Sequence, residues 1–236
     1  MTVKRRLSLF TLASFVLAEI ILGILVQTTA GDVNARVCYS AVMLASAFAL
    51  FSLTPALDVR GDWLIALGFI FTLFADWFLV IENPIKPLTA MIFFNGTQLS
   101  YAAAIYRRQK GAQAKQGHIL ARVGASLLGV VITFAILGDT ADALSVISVV
   151  YYLNLLLNAA FAFTLGKRGL LLAFGLVCFA LCDVFVGLDN LDMYFEITKG
   201  SLIWMLTHTG VNMAWVFYVP SQTMIAINDG FFKTEP

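Results

Sequence analysis

The stretch GFIFTLFADWFLV, Gly68 to Val80, would sit comfortably in oil at every position but one, Asp76. The same arrangement returns in GLVCFALCDVFVG, Gly175 to Gly187, where the acid is Asp183. In both stretches a glycine leads, an aspartate follows eight positions later, and a phenylalanine (Phe78, Phe185) stands two further on. A carboxylate at the centre of a bilayer costs at least about 2.5 kcal/mol on insertion scales, so an acid inside a membrane segment is a functional candidate by default.

The rest of the chain makes the membrane reading necessary. Of 236 residues, 60% are hydrophobic and 12% charged, with a mean hydropathy of +0.88. A soluble domain carries about 25% charged residues, so this chain has too little polar surface to face water. The net charge of +1 gives no case for nucleic acid. Cys38, Cys178 and Cys182 lie in apolar runs and read as packing residues rather than a disulfide framework. Cys178 and Cys182 are four apart beside Asp183, but further ligands for a soft metal are not apparent. No metal or cofactor is expected.

A helix needs about 20 apolar residues to cross the hydrocarbon core. Eight segments qualify, at roughly 7–28, 35–55, 62–82, 88–106, 119–137, 143–165, 170–188 and 200–227. The basic flank of the first resembles a signal peptide, but its apolar stretch is too long and holds Glu19, so it reads as a retained span. The expected fold is therefore all-α, a single polytopic domain over 1–236. With the N-terminus in the cytoplasm, twelve Lys and Arg residues, Arg60 and Lys233 among them, fall inside and three (Arg36, Lys86, Lys199) outside. That bias predicts both ends cytoplasmic. Asp76 and Asp183 each lie roughly 14 residues beyond the inner end of a span running outward, hence at similar depth. Spans one to four and five to eight then read as parallel repeats, halves 1–110 and 111–236.

The even-numbered spans supply polar stripes. Asn95, Gln98 and Tyr101 recur every three residues; Tyr151, Asn154 and Asn158 every three or four. His208, Asn212, Tyr218 and Gln222 fall on one stripe if the last span is a continuous helix. Such stripes turn inward. They serve either as a substrate site or as glue between helices, worth about 0.6 kcal/mol per hydrogen bond. Two carboxyls sharing one dry chamber suit acid–base chemistry, with one holding a proton and the other ionised, and they suit proton-coupled transport equally well.

LGFIFTLFADWFL resembles the first acidic motif of the YhhN family, and FGLVCFALCDVFVGL its second. FFNGTQLSY resembles the segment after the first motif, and FYVPSQTMIA the end of the last span. Gln98 stands where members usually carry a histidine. The family's proteins have eight spans and include lysoplasmalogenases. The resemblance implies hydrolysis of the vinyl ether of a lysoplasmalogen to a fatty aldehyde and a glycerophospho-base. Asp76 and Asp183 would be catalytic. Asn95, Gln98, Tyr101, Tyr151, Asn154, Asn158, His208, Asn212, Tyr218 and Gln222 would contact the lysolipid, with Glu19 a further candidate. Two other readings stay open: a proton-coupled transporter of a small solute or lipid, and a lysolipid-binding protein without turnover.

Overall fold

The computed structural model describes residues 2–59 and 61–228, so Arg60 and Lys233 of the charge tally lie outside the described residues. Among the described residues there are nine α-helices and no strands. They are α1 (Val3–Thr28), α2 (Gly31–Phe51), α3 (Trp63–Asp76), α4 (Pro87–Arg108), α5 (Ala112–Leu137), α6 (Ala143–Phe163), α7 (Leu170–Asp189), α8 (Leu202–Thr207) and α9 (Met213–Ile227). A π-helical turn, Trp77–Ile81, continues α3. Six segments are long and apolar enough to cross a membrane: α1, α2, α3 with its π turn, α5, α6 and α7. That is the pattern of a multi-pass membrane protein.

The fourth and last expected spans depart from a simple apolar helix for different reasons. α4 has 22 residues, ample length, but Asn95, Thr97, Gln98 and Ser100 lower its hydropathy. The last segment is not continuous. α8 ends at His208, Gly210 takes φ +72°, and Asn212 starts α9 by accepting the Trp215 N–H on its side chain. The left-handed turn at Gly210 suits a residue without a Cβ, and asparagine is a favoured N-cap. His208 and Asn212 therefore do not share a stripe with Tyr218 and Gln222. This corrects the expectation from spacing.

Six helices close a ring. α2 packs on α3, α3 on α4, α4 on α6, α6 on α7, α7 on α9, and α9 on α2. α1 lies against α2 and α9, and α5 lies against α6. The leading glycines of the two motifs set the closest approaches. A Cβ on Gly68 would run into the Tyr101 ring, and one on Gly175 would stand 2.7 Å from Ile225 Cγ1. Each acidic helix is thus seated against the next crossing helix one glycine-width closer than any other residue permits. Tyr101 is fully buried and has nowhere to retreat. We expect Gly68→Ala to destabilise the protein by about 1–3 kcal/mol, the usual cost of overpacking, seen as a lower thermal midpoint in detergent. An unchanged midpoint would mean that α3 and α4 are loosely packed there.

The two ends of the bundle are tied differently. At the basic end Asp62 caps α3 through the Leu64 N–H and accepts Arg107 Nη2 at 2.7 Å and Arg108 Nη2 at 2.9 Å, clamping the start of α3 to the end of α4. At the far end Asp142 begins α6 with a capping box, accepting the Ser145 N–H at 2.7 Å and the Tyr194 hydroxyl at 3.2 Å. The Ser145 backbone and then its hydroxyl hold the Asp142 carboxyl below the usual carboxylate range. A lowered value means stability that is complete above the ordinary carboxylate pKa and is lost as pH falls through the lowered one. Asp142→Ala should cost about 1 kcal/mol near neutral pH. The thermal midpoints of mutant and parent should converge in acid; a constant gap would exclude the ionised cap as the cause.

Candidate functional site

Two tyrosine–aspartate pairs stand inside the ring. Asp76 is the last residue of α3, buried to 3% exposure, and its Oδ2 accepts the Tyr218 hydroxyl of α9 at 2.6 Å. Asp183 on α7 is partly exposed, and its Oδ2 accepts the Tyr151 hydroxyl of α6 at 2.7 Å. Each acid is thus held by a hydroxyl donor from a neighbouring helix. The pairs are linked by aromatic rings. Phe94 lies 5.8 Å from Tyr151 and 6.0 Å from Phe179, which in turn lies 5.3 Å from Tyr218. Trp215 closes over Tyr218 at 5.1 Å. A chain of ring contacts, Tyr151–Phe94–Phe179–Tyr218, thus runs between the two acids.

The local chain explains the placement. Asp76 and Asp183 ride on helices seated by Gly68 and Gly175, which gives both acids a fixed depth. The helix widens immediately after Asp76, where the Glu82 N–H reaches back to the Trp77 carbonyl. Such π turns recur at functional sites. Beyond the turn Glu82 accepts Lys86 Nζ at 2.7 Å and Trp77 Nε1 at 3.0 Å, and the lysine first, then the indole, pull its carboxyl below the ordinary range.

The remaining sequence candidates divide. Gln98 is buried beside Asn158, which donates to its Oε1 at 2.8 Å. Asn154 and Asn158 accept from Arg122 of α5. Gln222 is buried with neither amide atom partnered among the described residues. Tyr101 is buried against Gly68, roughly two turns from the acids. Asn95 bonds back to the Met91 carbonyl of its own helix. Asn212 caps α9 and exchanges two hydrogen bonds with Gln27. His208 is exposed, stacked on Trp204 at 4.5 Å. Glu19 is 1% exposed, faces the α2 and α9 side of α1, and has neither oxygen partnered among the described residues. The structure therefore gathers Asp76, Asp183, Tyr151 and Tyr218, and puts Gln98 and Asn158 on the adjoining α4–α6 seam. It leaves Asn95, His208 and Asn212 elsewhere.

Arg122, Phe94 and Phe179 belong to this region and were not singled out by sequence. The signal for Arg122 was its place three residues inside an apolar run, where an arginine needs partners. Two cavities flank the ring. A groove of about 540 Å³ is lined by Phe134, Asp142, Val146 and Val150, and one of about 270 Å³ by Phe185, Asp189, Leu206 and Asn212. Neither lining includes Asp76 or Asp183, although each reaches a residue one or two positions from Tyr151 or Asp183.

The sequence model of the YhhN family matches residues 35–228, most of the chain. No curated protein and no solved structure matches.

Proposed function

We propose that this chain, which belongs to the YhhN family, is a membrane hydrolase that cleaves the vinyl ether bond of lysoplasmalogens. The observation that carries the reading is the pair of carboxyls inside the helix ring, each held by a tyrosine hydroxyl, with Phe94 and Phe179 bridging the two tyrosines.

A vinyl ether is cleaved by adding a proton to its β-carbon. The positive charge is then shared by the α-carbon and its oxygen as an oxocarbenium ion, water adds to the α-carbon and loses a proton, and the hemiacetal gives up its hydroxyl proton as the glycerol oxygen takes one, leaving an aldehyde and the glycerol alcohol. The site must supply a proton in a dry place and an anion beside the cation that develops. We assign the proton to Asp76, the more enclosed acid, because a low-polarity enclosure favours the neutral form. With Oδ2 engaged by Tyr218, Oδ1 is the oxygen left to carry it. Asp183, partly exposed, stabilises the cation and takes a proton from the incoming water. The fatty chain lies along the phenylalanine-rich walls.

The same reading has eight crossings, with α4 and the α8–α9 pair added to the six long apolar helices, and both termini in the cytoplasm. The ring supports two parallel repeats, since α2–α3–α4 and α6–α7–α9 follow one another in the same order. A transporter is the second reading, favoured by the break between α8 and α9, because interrupted helices build many transport sites. Purified protein given lysoplasmalogen separates the two. A hydrolase yields one aldehyde per glycerophospho-base released; a transporter moves substrate across vesicles and leaves it intact.

A further inference from the structure

Arg122 carries a partly buried charge without an acid: among the described residues, no carboxylate forms a salt bridge with it. Its guanidinium is instead spread over neutral acceptors. Nε donates to His118 Nε2 at 2.7 Å, Nη1 to Asn154 Oδ1 at 3.1 Å, and Nη2 to Asn158 Oδ1 at 2.5 Å. Arginine has donors only, so it dictates the sense of every bond beyond it. His118 must carry its proton on Nδ1 and give it to Gln109 Oε1, 3.0 Å away. Asn158 must turn its oxygen to Arg122 and its NH₂ to Gln98, where it donates to Oε1 at 2.8 Å and to the backbone oxygen at 2.9 Å. Gln98 is left with its own NH₂, which is buried and has no partner among the described residues.

That donor sits on the α4–α6 seam of the ring. Gln98 lies one turn along α4 from Phe94, whose ring touches Tyr151 and Phe179. Measured from the Gly68–Tyr101 contact, Gln98 and Asp76 are separated by roughly 7 Å of helix axis. Helical side chains lean toward the N-terminus of their own helix, and α3 and α4 run in opposite directions as consecutive crossings. The carboxyl and the amide therefore lean toward each other along the bundle axis.

We propose that Arg122, on a helix outside the ring, is a positioning residue that acts through Asn158 to hold the Gln98 NH₂ as a fixed donor to the free glycerol hydroxyl of a lysolipid. The inference rests on the lysolipid reading above. In a lysoplasmalogen that hydroxyl is a few bonds from the carbon that takes the proton, so a donor at this depth sets the register of the vinyl ether against Asp76. The partner of an unpaired buried donor matters strongly, because a ligand without the acceptor leaves the donor desolvated and unmatched.

The test uses the full chain and two saturated-ether lysophospholipids, one with the glycerol hydroxyl and one with hydrogen in its place. Neither has a vinyl group to protonate. Titration followed by thermal shift should show parent protein binding the hydroxyl form about tenfold more tightly, a difference of about 1.4 kcal/mol. Gln98→Leu should bind both probes alike. Asn158→Asp is the decisive variant. A carboxylate there keeps Arg122 paired and the thermal midpoint at or above the parent's, but it has no donor for Gln98, whose NH₂ turns back to it and is consumed. The preference should vanish, and the double variant should lose nothing further, the signature of residues acting in one chain. Arg122→Lys, a point charge without the fork, should also reduce it. A parent without preference, or an Asn158→Asp protein that keeps it, overturns the proposal. A parent that prefers the hydroxyl yet releases no aldehyde from lysoplasmalogen retains this inference and sinks the hydrolase reading.

Discussion

Aldehyde release should fall by at least about a hundredfold in Asp76→Asn and again in Asp183→Asn, the range expected when a positioned acid or base is removed. Asparagine is close in shape to aspartate, and its oxygen can still accept the Tyr218 or Tyr151 hydroxyl, so neither variant opens a cavity. What is lost is different in the two cases. Asp76→Asn has no proton to give to the β-carbon. Asp183→Asn leaves the cation without an anion and the water without a base. The two groups serve one transition state, so the double variant should be little worse than either single one. Turnover and thermal midpoint measured on the same preparations separate chemistry from folding. Parental turnover in either variant would remove that carboxyl from the mechanism.

Tyr151→Phe should lower turnover by roughly ten- to a hundredfold, since a hydrogen bond to a charged group is worth about 1.5–3 kcal/mol, and Tyr218→Phe by roughly two- to tenfold, since one to a neutral carboxyl is worth about 0.5–1.5 kcal/mol. The Tyr218 hydroxyl, 2.6 Å from Asp76 Oδ2, fixes which oxygen is free. Without it the carboxyl can turn, and the proton is no longer aimed. The Tyr151 hydroxyl, 2.7 Å from Asp183 Oδ2, holds the second acid toward the ring. Both losses should fall on kcat more than on KM, because the structure engages each hydroxyl with a carboxyl, where the sequence had suggested the lipid. A change confined to KM would place the tyrosines at the lipid instead.

The acids were legible in the sequence because a carboxyl in an oily run has few cheap explanations, and because the same run occurs twice. The tyrosines were found as members of polar stripes. Spacing tells which face of a helix is polar but not which helix it meets, so the pairing of Tyr218 with Asp76 and Tyr151 with Asp183 could not be read. His208 and Asn212 were misplaced because a 3.6-residue stripe presupposes an unbroken helix. The contrary signs, Gly210 and a capping asparagine, are in the chain at Thr207–Asn212. Arg122 was counted as a charge on the inner side, which hid that it lies within α5 and organises Asn154 and Asn158. Glu19 and Gln222 were rightly seen as turned inward, but nothing in their spacing shows what they would bind.

The widened turn after Asp76 divides its helix into two mechanical parts. Toward Gly68 the backbone is pinned against Tyr101 and cannot slide. From Trp77 to Ile81 one surplus residue is wound into the turn, and a π turn is a place where a helix bends. The acid therefore sits at the joint between a stiff stem and a tip that can bend, so the far end of α3 can move while the carboxyl keeps its address.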